Sequence, residues 1–95
     1  MPKYLIEVAH ESNSLACLHS MQIFMSSGSH FLTNADWGCS DGVHKAWFVL
    51  EAANKDEALF VVPQAYHKDT TITQINKFTI AEVEEMIKQH KSVNA

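Results

Sequence analysis

Five soft-donor side chains, His10, Cys17, Cys39, His44 and His67, are the residues of this chain best suited to chemistry. Thiolate sulfur and neutral imidazole nitrogen suit zinc, nickel and copper better than calcium or magnesium. The same two groups can form a nucleophile–base pair, because a nearby imidazolium lowers the pKa of a thiol. The donors are widely spaced, and neither Cys-x-x-Cys nor His-x-x-x-His occurs. Any shared site must therefore be assembled by the fold. The sharpest local signal is Asp41-Gly42, a tight-turn pair in which Gly tolerates positive φ. A two-residue turn there sets Cys39 opposite His44, with Cβ atoms roughly 4.5–5.5 Å apart on one side of a hairpin. Such a pair could bind one metal ion, or supply Cys39 as nucleophile and His44 as base.

The elements that would position these groups follow from periodicity. Lys3 to Ala9 alternates as a strand, with Tyr4, Ile6 and Val8 on one face and His10 in phase behind them. Ser12, Asn13 and Ser14 offer cap oxygens for a helix through Ser26, and Gly28 is a natural stop. Its inner stripe is expected to use Cys17 or Leu18, then Met21, then Phe24 and Met25. His30 to Trp37 reads as a second strand and Val43 to Glu51 as a third. Asn54 with Glu57 opens a short helix that Pro63 closes. A strand over about 66–78 and a last helix carrying Ile80, Val83 and Ile87 complete the order, with fraying after Lys91.

That order, βαββαβ plus a C-terminal helix, is the ferredoxin-like α+β signature for one domain spanning 1–95. Right-handed crossovers make strands one and two parallel, put strand three between them and strand four beside strand one. All five donors then fall at one edge of the sheet, whereas His30 belongs to the opposite edge. Glu11 and Asp69 could add oxygen ligands or orient a ring. His19 and His90 read as helix-surface residues, and Trp37 and Trp47 as core or interface anchors.

The 95 residues are 46% hydrophobic and only 19% charged, with a net charge of −4. That balance disfavours nucleic acid, whose phosphates call for a basic surface. No apolar run reaches the roughly 18 residues of a membrane span. The start enters a strand at once with no basic leader, so a cytoplasmic setting with reduced thiols is expected. A sheet apolar on both faces needs a second cover beyond its own helices, so a homodimer or higher homo-oligomer is expected.

The start Pro2-Lys3-Tyr4-Leu5-Ile6-Glu7, the segment Asp36-Trp37-Gly38-Cys39 through Gly42-Val43-His44 to Trp47, the Glu51-Ala52 and Val62-Pro63 pairs, and Phe78-Thr79 with Glu82 carry a resemblance. They resemble a family of small uncharacterised proteins related to the dimeric α/β-barrel superfamily and to its nickel-responsive members. The resemblance implies a ferredoxin-like subunit, self-association through the sheet and a bound divalent metal. No catalytic residue of that superfamily matches a position here. The functional expectation is a small cytoplasmic metal-binding protein, a sensor or store, holding nickel, zinc or copper. Its ligands would be His10, Cys39 and His44, joined by Cys17 or His67. The alternative is a small-molecule-binding protein or cofactor-free enzyme using a Cys39/His44 pair, and a non-catalytic interaction domain is a third reading.

Overall fold

The computed structural model describes the backbone of residues 1–94 and the side chains of residues 1–91. The chain is mixed α+β. Strand β1 (Lys3–Ala9) leads to helix α1 (Ser14–Ser26), a short helix α2 (His30–Thr33), strand β2 (Asp36–Trp37) and strand β3 (Lys45–Glu51). Helix α3 (Lys55–Leu59), strand β4 (Thr70–Ile75) and helix α4 (Ile80–Asn94) follow. The four strands form one antiparallel sheet in the order β2-β3-β1-β4. This is the strand order expected from the crossover rules, and it is compatible with a ferredoxin-like arrangement.

The inner face of the sheet is where alternation placed it. Tyr4, Ile6 and Val8 of β1 and Ala46, Phe48 and Leu50 of β3 are all buried. They pack with Phe24 of α1, Leu32 of α2, Ala58 of α3 and Val62 in one core. Burying a large apolar side chain of this kind stabilises the fold by roughly 1.5–3 kcal/mol.

Three expectations need correction. The region read as a strand from His30 to Trp37 begins as helix α2, and only Asp36–Trp37 pair with β3. Ser29 is the cause: its hydroxyl accepts from the Leu32 N–H at 3.4 Å and starts a helical turn that buries Leu32. The strand expected over about 66–78 is shorter, because Gln64–Asp69 wind as a 3₁₀ segment behind Pro63 before β4 begins at Thr70. The buried stripe of α1 runs through Cys17, Ser20 and Phe24, while Leu18 and Met25 face outward and Met21 is half-buried. Ser20 is tolerated inside because its hydroxyl lies 3.0 Å from that of Tyr66. Helix α4 continues past Lys91 to Asn94, and the fraying expected there otherwise concerns Ala95 and side chains outside the described residues.

Candidate metal centre

Alternation in the sheet carries directly into the site. His10 follows Val8 in the inward phase of β1, and His44 precedes Ala46 in the inward phase of β3. The β1–β3 register pairs Val8 with Ala46 and Ala9 with Lys45. The His10 N–H donates to the His44 carbonyl at 3.1 Å, so the two histidines face each other one step beyond the ladder. Their rings stand edge to face, with centroids 5.8 Å apart at 89°.

The two cysteines approach from either side. Asn13 caps α1, its Oδ1 accepting from the Ala16 N–H at 2.8 Å, and this turn brings the buried Cys17 back over the end of β1. Cys39 is held by the hairpin between β2 and β3. That hairpin keeps the expected register, pairing Asp36 with Trp47 and Trp37 with Ala46, but not the expected two-residue turn. Residues Cys39–Asp41 form a 3₁₀ turn closed by Gly42 at φ 77°. The Gly42 N–H donates to the Cys39 carbonyl and the Val43 N–H to the Gly38 carbonyl, which is the Schellman closure around a left-handed glycine. Gly38 is fixed for a second reason. A Cβ there would come within 2.7 Å of the Trp47 ring and of the Val43 carbonyl oxygen.

His10, Cys17, Cys39 and His44 therefore converge, with one donor atom from each lying within 4.8 Å of all the others. His10 Nε2 is 3.0 Å from Cys17 Sγ and 3.1 Å from Cys39 Sγ. Cys17 Sγ is 3.2 Å from His44 Nδ1. A tetrahedral zinc with ordinary bond lengths separates a nitrogen from a sulfur ligand by about 3.6 Å. An ion at the centre would thus need the donors to move apart by roughly half an ångström. Two sulfurs and two imidazole nitrogens form a soft, closed donor set of the kind that holds a tetrahedral d¹⁰ ion.

The direct contacts differ from the Cys39–His44 pair that a two-residue turn implies. Cys39 meets His10, and Cys17 meets His44. Cys17, on the apolar stripe of its helix, looks like inert core filler from periodicity alone, yet it touches both rings. His67 stands apart: it lies in the 3₁₀ segment, with Nε2 2.7 Å from the Val62 carbonyl oxygen. Glu11 and Asp69 border a depression beside His10, and neither makes a hydrogen bond to the cluster rings among the described residues.

The electrostatics follow from burial. His10 has its pKa lowered below the usual histidine value, first by desolvation and then by the neighbouring His44 ring. It is thus held in the neutral form that a metal requires. Its Nδ1 is buried without a protein partner, and the ring is packed instead against Trp37, with centroids 5.7 Å apart. Burial pushes the Cys39 thiol up to about 11, helped by the hydrogen bond and charge of Cys17. A thiol so reluctant to ionise is a poor nucleophile at neutral pH, whereas a cation placed between the sulfurs would reverse that preference.

Both cysteines are free thiols. Among the described residues no helix is long and apolar enough to cross a membrane. Comparison with protein-family models, with curated proteins and with solved structures finds no match for the chain.

Proposed function

We propose that this protein binds one soft divalent transition metal, zinc, nickel or copper, through Cys17, Cys39, His10 and His44, as a small metal sensor or store. The observation that carries the reading is the convergence of four N and S donor atoms within 4.8 Å of one another from segments far apart in sequence. The raised Cys39 pKa argues against a nucleophile at neutral pH. A closed set of four protein ligands also leaves no open position for substrate. The subunit is read as ferredoxin-like, and as a homodimer in which a second copy covers the outer face of the sheet, in the manner of a dimeric α/β barrel. The free thiols fit a reducing cytoplasm.

Elemental analysis of tag-free protein purified without chelator tests this directly. Near-stoichiometric zinc, nickel or copper is expected, and it should be lost in His44→Ala and Cys17→Ser while the far-UV circular dichroism stays folded. Protein that remains metal-free after titration with all three ions would overturn the assignment. Unchanged stoichiometry in both variants would place the metal elsewhere.

A further inference from the structure

Helix α4 and the outer face of the sheet are two uncovered apolar surfaces on one chain. Helix α4 projects from the body: the Cα radius of gyration is 17.4 Å and the longest dimension 56 Å. A compact chain of this length would have a radius near 12 Å. Ile80, Met86 and Ile87 are exposed, Val83 is half-buried, and α4 packs extensively against no other element among the described residues. Ile80, Val83 and Ile87 fall at i, i+3 and i+7 and so form a single stripe. An isolated helix of this length is marginal in water, so most of its stability must come from a surface that covers the stripe.

The outer face of the sheet offers such a surface. Leu5 of β1, Val49 of β3 and Ile75 of β4 point away from the core, and Val49 is 44% exposed. Depressions on either side of Val49 open along this face. Phe31 of α2 forms one wall, and Ile75, Asn76 and Lys77 at the exit of β4 form the other. The one beside Lys3 and Lys77 measures about 490 Å³. From Ile80 to Ile87 the stripe spans about 10 Å, and from β3 across β1 to β4 the floor spans about 10 Å. Charge matches as well, because Lys3 and Lys77 outnumber the one carboxylate of the groove, Glu51, while Glu84 borders the stripe.

We infer that α4 of one protomer lies in the outer-face groove of a second copy of this chain, and the second copy's α4 in the groove of the first. Two identical arms and two identical grooves close a twofold pair. The inference rests on the homodimer reading above, and puts an exchanged helix where a dimeric barrel would put the partner's sheet.

Paired variants of the full chain, followed by sedimentation equilibrium, test it. Val49→Glu spoils the groove and Ile87→Glu spoils the arm; both residues are solvent-exposed, and circular dichroism controls for folding. Each variant alone should dimerise roughly 100-fold more weakly than wild type, since a dimer loses the burial of two such side chains. Mixing the two variants should restore association, because the intact arm of one fits the intact groove of the other. If Ile87→Glu leaves the dimer unchanged while Val49→Glu disrupts it, the sheets meet face to face. The exchange is then wrong and the homodimer stands. Variants that dissociate but fail to associate on mixing also overturn the exchange. A wild-type chain that stays monomeric at high micromolar concentration overturns both readings.

Discussion

His10 is the residue at which the cluster is most sensitive to protons. Its ring is shielded from water and lies beside a second imidazole, so the folded protein holds it neutral below its ordinary pKa of 6.5. The unfolded chain titrates near that ordinary value. Below pH 6.5 the unfolded state therefore binds more protons than the folded state, and stability must fall as the pH drops. The contribution is fully present above 6.5 and is lost as the pH passes down through the lower folded-state value. Denaturant midpoints of metal-free protein should thus decline on acidification below neutral pH, and His10→Gln should flatten that decline. Equal slopes in the two proteins would remove His10 as the cause. The thiols add a second proton effect, since a metal must displace a proton from each sulfur it binds. Calorimetry of metal binding in buffers of different ionisation enthalpy should therefore detect proton release, and Cys39 should resist alkylation in both states. In the free protein its pKa near 11 protects it, and in the complex the metal does.

At the scale of elements, the hairpin between β2 and β3 carries the most constraint for its length. Gly38 lies against the Trp47 ring, whose Nε1–H donates to Glu7 Oε1 at 2.8 Å, so the indole cannot easily withdraw. Gly38→Ala is expected to cost roughly 1–3 kcal/mol through overpacking. It should also weaken metal binding, because the turn that carries Cys39 begins there. Thermal unfolding and metal titration of this variant would show both effects, and a neutral result in both would mean the turn can shift freely. The same region shows where sequence is informative. β1 and β3 are legible because a strict period of two, apolar on the core face, fits nothing but a strand. This phase also foretells that His10 and His44 share a side. The segment from Phe31 to Trp37 alternates equally well, yet the Ser29 cap and the burial of Leu32 favour a helical turn, a competition that periodicity cannot resolve. His67 is misplaced for a related reason. Pro63, read as the close of the short helix before it, also starts a 3₁₀ segment, so the ring turns toward the Val62 carbonyl and not the strand edge. Strand order follows from crossover handedness and was within reach. The partners inside the cluster depend on side-chain directions in a seven-residue loop, which were not.

Across the whole molecule the four donors tie the start of α1, the end of β1 and the hairpin into one cross-linked corner. Helix α1 otherwise holds to the body through Phe24 and the Ser20–Tyr66 contact, while Leu15, Leu18, Ile23 and Met25 lie on its exposed surface. Removing the metal with a chelator should therefore lower the melting temperature. It should also raise amide exchange in α1 and the hairpin far more than at the centre of β1, as hydrogen-exchange mass spectrometry would register. Uniform exchange across the chain would mean the corner contributes no local order. The mutual facing of His10 and His44 has a further consequence for the order of events in folding. These two residues meet only after β1 and β3 have paired across the whole intervening stretch of α1, α2 and β2. The unfolded chain keeps only Cys39 and His44 close in sequence, so it lacks the four-donor set that the folded corner assembles. Binding energy therefore favours the native state, reduced only by what the Cys39–His44 pair captures in the unfolded chain. A metal at this corner would leave the folding rate nearly untouched and act as a brake on unfolding.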